Sequence, residues 1–178
     1  MKILIASDLH GSAFYTEKLL CRFKAENADK LVLLGDIYNH GPRNPLSKDY
    51  APMEVAKSLN EIKEKLIVIK GNCDSAVDTM ISNFDFLDNL VLVSGGKTLF
   101  LTHGHIYNKD NLPKTNFDAI IYGHFHTGFI ERKGDMIIAN TGSTSLPKND
   151  TPNSFMVLED KILTLKDFEN NVIKSIEL

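Results

Sequence analysis

Tryptophan is absent from this chain, and cysteine nearly so: Cys21 and Cys73 are the only two among 178 residues. Two thiols cannot build a disulfide framework, so the fold must rest on its own core. No apolar run approaches the roughly 18 residues needed to cross a bilayer. Between Lys2 and the first acid, Asp8, stand only four apolar side chains, too few for a signal-peptide core. These absences lead to the expectation of a reducing, cytoplasmic location with no membrane partner. A basic excess is missing too. Lys and Arg number 20 against 23 Asp and Glu, giving a net charge of −3, which argues against a dedicated nucleic-acid surface. Compositional bias is also lacking: 43% hydrophobic and 24% charged residues are ordinary for a globular chain and exclude global disorder. A chain of this length buries roughly two-thirds of its unfolded surface, and a single domain over residues 1–178 is expected.

Three short apolar runs, 3–6, 31–34 and 66–69, have the continuous character of strands covered on both faces. Helical patterns separate them. The first covers 12–26, with Tyr15, Leu19 and Phe23 on one face and Ser12 as N-cap. The second starts near Pro52 and places Val55, Leu59, Ile62 and Leu66 at helical spacing. This alternation is the pattern of parallel βαβ units. The second half is instead read as antiparallel hairpins: 90–93 with 98–102 around Gly95-Gly96, 129–132 with 136–139 around Gly134-Asp135, and 155–158 with 162–165 around Asp160-Lys161. Together they predict an α/β sandwich of two mixed sheets. The proline-rich stretch 39–52 reads as a long loop, a common carrier of function.

Each early strand runs into a polar cluster. The first leads to Asp8-Leu9-His10-Gly11, the second to Gly35-Asp36-Ile37-Tyr38-Asn39-His40-Gly41, and the third to Gly71-Asn72-Cys73-Asp74. Two later runs do the same, ending in His103-Gly104-His105 and Gly123-His124-Phe125-His126. In open α/β sheets the carboxyl ends of strands form the ligand edge, so clusters some thirty residues apart in sequence are expected to meet there. Each cluster alone is an ordinary turn; two aspartates, an asparagine and several histidines at successive strand ends are a set. Nitrogen and oxygen donors without thiolate suit Mn²⁺, Fe, Zn²⁺, Ni²⁺ or Co²⁺. The donors suffice for two ions, an arrangement suited to phosphoryl chemistry, and Asp36 is the candidate bridge between them.

The ordered set Asp-x-His, Gly-Asp, Gly-Asn-x-Asp, His and Gly-His-x-His resembles the calcineurin-like metallophosphoesterases. Gly35–Asn44, Gly71–Asp74 and Thr102–His105 resemble more narrowly the small YfcE-type phosphodiesterases. The resemblance covers residues 1–147. It implies a four-layer αββα sandwich of two mixed β-sheets flanked by helices, and a metal-dependent phosphodiesterase acting through a hydroxide that bridges two divalent metals. It implies that Asp8, His10, Asp36 and His126 hold one metal and that Asp36, Asn72, His103 and His124 hold the other, with Mn²⁺ the first candidate. It further implies a small phosphodiester substrate and a homo-oligomer, for which Leu87, Leu90 and Phe129 are candidate interface residues. His40 and His105 are expected to contact the phosphate or assist the leaving group beside the catalytic Asp36 and Asn72; Arg43, Asn39 and Cys73 are candidate substrate contacts. The chain departs from the wider superfamily at Cys73, where many members have a histidine able to protonate the leaving group, and at Thr141, where relatives often have proline. The alternatives weighed are a catalytically weak scaffold of the same fold, as in a retromer subunit, and a phosphatase acting on phosphomonoesters or nucleotides.

Overall fold

A computed structural model describes all residues from Met1 to Leu178. The strands are β1 (Lys2–Ala6), β2 (Lys30–Leu33), β3 (Leu66–Ile69), β4 (Phe86–Leu87), β5 (Leu90–Ser94), β6 (Lys97–Leu101), β7 (Ala119–Tyr122), β8 (Gly128–Lys133), β9 (Met136–Thr141), β10 (Ser154–Glu159), β11 (Ile162–Asp167) and β12 (Val172–Glu177); the helices are α1 (Ala13–Ala25) and α2 (Pro52–Asn60). One sheet runs β12-β11-β10-β1-β2-β3-β4 and the other β5-β6-β7-β9-β8.

Side-chain alternation with period two builds the layers. Ile3 and Ile5 of β1, Val32 and Leu34 at β2, and Met156 and Leu158 of β10 face Leu99, Leu101, Ile121, Ile137 and Ala139 of the second sheet. The intervening Leu4, Ala6, Leu31, Leu33, Phe155 and Val157 face the opposite way, against Leu19 and Phe23 of α1 and Val55 and Leu59 of α2. Both faces of β1, β2 and β10 are therefore buried, which is why those runs carry no polar alternation. The chain forms the expected sandwich of two mixed sheets.

Helix α1 begins where Ser12 accepts the amide of Tyr15 at 3.2 Å. Helix α2 is shorter than its apolar spacing predicts. It stops at Asn60, a 3-10 turn covers Lys63–Lys65, and Leu66 belongs to β3, paired with Leu31. Strand pairing to β2 outweighs the helical pattern there. The three hairpins form as expected, with left-handed backbone at Gly95, Gly96, Gly134 and Asp160. The second half is nevertheless not wholly antiparallel, since β6, β7 and β9 pair in parallel. The helical cover is also one-sided. On the outer face of the second sheet, Phe100, Ile120, Tyr122 and Ile138 are covered by Tyr107 and Phe117 from helix-free chain. That segment, rich in Asn, Asp and Lys with Pro113, has weak helical propensity and favours turns. Leu90 packs against the inter-sheet core and Phe129 against the outer cluster, which leaves Leu87, 40% exposed, as the accessible member of the expected interface trio. No helix is long and apolar enough to cross a membrane.

Candidate metal centre

Parallel pairing of β1, β2 and β3 in one sheet, and of β6 and β7 in the other, points five strand ends at one edge of the sandwich. Backbone bonds knit these ends together: the amides of Asp8 and His10 donate to the carbonyls of Gly35 and Asp36 at 3.0 and 2.9 Å. Across the sheets, His103 Nδ1 donates to the Leu34 carbonyl at 2.7 Å, and the His124 amide donates to Asp8 Oδ2 at 2.9 Å.

Five of the chemistry-bearing residues are held in left-handed backbone: Asp8, His10, Asp36, His124 and His126, with φ of 58, 45, 55, 63 and 61°. Such conformations cost on the order of 1–3 kcal/mol each outside glycine and persist only where the surroundings enforce them. Glycine supplies the close approach. A Cβ on Gly123 would come within 2.6 Å of Asp8 Oδ2, and one on Gly71 would overlap the amide and carboxylate of Asp36.

The side chains form two groups around Asp36. In the first, His126 Nε2 lies 3.2 Å and His10 Nε2 3.6 Å from Asp8 Oδ1, and the two imidazole nitrogens are 3.1 Å apart. Their Nδ1 atoms donate to the carbonyls of Leu146 and Asn39 at 2.6 and 2.7 Å. In neutral rings this leaves both Nε2 lone pairs facing the carboxylate. Asp8 Oδ1 is buried and has no hydrogen-bond donor. In the second group, His103 Nε2 lies 3.4 Å from Asp36 Oδ1, 3.0 Å from Asn72 Oδ1 and 3.2 Å from His124 Nδ1. His10 Nε2 also stands 3.8 Å from Asp36 Oδ2, so the two oxygens of Asp36 face different groups. Converging lone pairs and an orphaned buried carboxylate oxygen are what a cation resolves, and the nitrogen and oxygen donors grouped here fit a divalent metal ion.

Protonation follows this geometry. Burial works against the charged form of Asp8, but where the Nε2 atoms of His10 and His126 carry protons instead of lone pairs, their pairing with it outweighs burial and holds that carboxyl well below its usual range. For His103, burial alone would lower the pKa; the ion pair with Asp36 and the charge of Asp8 raise it to about 9. Burial and the neighbouring His103 push His124 down to about 4. Burial and the charge of Asp36 push the Cys73 thiol up to about 12.

All seven ligand candidates, Asp8, His10, Asp36, Asn72, His103, His124 and His126, meet at this edge. Asn39, Arg43 and Cys73 line the adjoining cavity of about 760 Å³. His105 stands beside the second group, its ring 5.3 Å from His103 and 6.3 Å from His124. His40 is set apart: its ring lies edge-on to Tyr50 at 5.4 Å and outside the cavity lining. Cys73 is tied to both groups, its thiol accepting from Asn72 Nδ2 at 3.3 Å. Its amide donates to Asp36 Oδ1 at 2.8 Å, and its thiol falls within a donor group with His10 and Asp36. Sequence reasoning passed over the supports. Asp74, within the Gly-Asn-x-Asp motif, accepts the amides of Asp36, Ile37 and Gly71 at 2.7–2.8 Å. Ser143 and Ser145 donate to the Asp8 carbonyl at 2.9 and 3.0 Å, and Asn140 Nδ2 donates to the Gly123 carbonyl at 2.7 Å. Lys148 adds a second cation to the cavity wall. Asp74 is flagged by its motif position, and Asn140 and Ser143 by the segment 140–143, which reads as a structural turn near the site; Ser145 and Lys148 carry no signal.

Residues 1–161 match the sequence model of the calcineurin-like phosphoesterase superfamily domain. The chain is 44% identical to phosphodiesterase YfcE of Escherichia coli strain K12 over 93% of its own length and 91% of that protein's. It is 30% identical to the probable metallophosphoesterase YsnB of Bacillus subtilis strain 168, over 89% of this chain and 83% of the relative. In three dimensions it superposes on the solved structure of Yfce, a phosphoesterase from E. coli, with a TM-score of 0.95 at 39% identity, over 99% of both chains.

Proposed function

Because this chain belongs to the calcineurin-like phosphoesterase superfamily, we propose that it is a phosphodiesterase dependent on two divalent metal ions. Asp8, His10, Asp36 and His126 would hold one ion; Asp36, Asn72, His103 and His124 would hold the other. Bound there, such ions lower the pKa of water toward neutrality and offset the charge that develops on phosphoryl oxygens. The observation that supports this reading most is the pair of lone-pair nitrogens of His10 and His126 turned onto the undonated oxygen of Asp8.

The chain's own residues then position the ester. Arg43 offers a planar fork matched to phosphate oxygens, with Asn39 beside it in the cavity wall. Burial and the charge of His103 lower the pKa of His105, so it is neutral at pH 7 and serves as a hydrogen-bonding contact to the phosphate. His40, edge-on to Tyr50 in the loop that carries Asn39 and Arg43, is the second candidate for that contact or for aid to the leaving group. A thiol with a pKa of about 12 is a poor proton donor near neutrality, so Cys73 leaves the leaving group without efficient acid assistance. Esters with good leaving groups, such as aryl diesters, should therefore react fastest. Mn²⁺ is the first candidate metal, a small phosphodiester the substrate, and a homo-oligomer the assembly.

The test is hydrolysis of bis(4-nitrophenyl) phosphate and 4-nitrophenyl phosphate by metal-stripped protein, before and after Mn²⁺ is added. Diester turnover should return with metal, exceed that of the monoester, and be lost in Asp36→Asn. Faster monoester turnover would make the protein a phosphatase; no turnover with any divalent metal would refute the reading.

A further inference from the structure

Most residues that line the metal-centre cavity are polar or charged, with Asp36, Arg43, Asn44, Asn72 and Lys148 among them. It contains one aromatic hydrocarbon ring, Phe125. That ring is 44% exposed, although both flanking residues are ligand candidates and His126 is buried. The backbone that carries it is tied down on both sides. His124 and His126 are both in left-handed conformation, with φ of 63 and 61°. The amides of His124 and Phe125 donate to Asp8 Oδ2 and the Gly123 carbonyl at 2.9 and 2.7 Å, and the His126 carbonyl accepts from the backbone amide of Lys148 at 2.9 Å. T-shaped contacts with Tyr122 at 6.0 Å and His124 at 5.1 Å set the ring's orientation. An apolar ring is thus held at the mouth of a cationic cavity, where phosphate alone would have no use for it.

We propose that Phe125 forms a second subsite, which takes a flat aromatic substituent of the substrate phosphate, an aryl ring or a nucleobase, while Arg43 and Lys148 meet its phosphoryl oxygens. The inference rests on the phosphodiesterase reading and narrows its substrate class. Stacking on an aromatic side chain tolerates any π-face, so the subsite selects for aromaticity rather than for one base. Phosphoryl oxygens left on the substrate suit the two cations.

Calorimetric titration of the Mn²⁺-loaded protein with unreactive phosphonates tests this. Methylphosphonate, phenylphosphonate and a thymidine 5′-phosphonate would be compared on the wild type, Phe125→Ala and Phe125→Tyr. Phenylphosphonate should bind about tenfold more tightly than methylphosphonate to the wild type and to Phe125→Tyr. Phe125→Ala should lose that preference, with its methylphosphonate constant unchanged. The thymidine arm separates the two sources of the ring: a preference equal to or above that of phenyl places a nucleobase on Phe125, and a preference for phenyl alone restricts the subsite to aryl groups. Equal binding of all three phosphonates, or a preference that survives in Phe125→Ala, would overturn the subsite alone. Absence of any phosphonate binding would overturn the phosphodiesterase reading and the subsite with it.

Discussion

Asp74 does not line the metal-centre cavity, yet it sets the direction in which Asp36 points. Its two oxygens accept three amides from the turns after β2 and β3. In Asp74→Asn an amide NH₂ must face at least one of those N–H groups. The expected cost is about 1–3 kcal/mol in urea denaturation, with Mn²⁺ affinity falling roughly 10- to 100-fold; wild-type values for both would deny Asp74 this part. Gly71 acts by sterics alone, because an added Cβ overlaps Asp36. Gly71→Ala should therefore lose bound metal while costing about 1–3 kcal/mol of stability, to be read by metal analysis of the folded protein. Sequence pattern marked the ligand candidates because Asp, Asn and His after apolar runs are chemically conspicuous. It gave no role to Asp74 and the serines, because a spacing does not say toward which amide a side chain turns.

At the scale of elements, Ser12 ties two segments together. It caps α1 through the Tyr15 amide, and its hydroxyl donates to the Lys48 carbonyl at 2.5 Å within the loop that carries Asn39 and Arg43. Ser12→Ala is expected to cost about 1 kcal/mol for the cap and to accelerate amide exchange in residues 39–50; exchange identical to wild type would separate cap from loop. Strand β1 shows why the first half was legible. Its last four residues, 3–6, bury one side chain after another on alternating faces, so the apolar run itself declares a covered strand. The end of α2 and the parallel pairing of β6, β7 and β9 were not legible. The face of α2 drawn through Leu66 continues a helical spacing, and only the ladder to β2 ends it. Parallel pairing depends on a crossover between distant segments, which local hairpin signals do not report.

For the molecule as a whole, the core between the sheets draws side chains from both, so one cooperative unfolding transition is expected, with coincident curves from fluorescence of the tyrosines and far-ultraviolet dichroism. In the metal-free chain the His103 pKa is raised from 6.5 to about 9, above its unfolded value. Its contribution to stability is then fully present below pH 6.5 and lost as the pH rises through about 9. A cation needs the Nε2 lone pair, so Mn²⁺ affinity should rise over the same interval as the proton leaves. Thermal melts of stripped protein should move down from pH 6.5 to 9 while Mn²⁺ affinity moves up; two flat profiles would contradict the assignment.

The sequence by itself determined the buried strands, the first helix, the hairpins and the identities of the ligand candidates, since each is written in local periodicity or in residues whose chemistry has few other uses. Only the tertiary structure decided which oxygen of Asp36 faces which histidine pair, that His40 turns to Tyr50 while Phe125 stays in the cavity wall, and that Asp74 holds the turns beneath. Those outcomes are set by left-handed backbone and by hydrogen bonds between residues distant in sequence, such as His103 to Leu34 and His124 to Asp8. Such contacts have no period to read, because they exist only once two strand ends have been brought to the same edge.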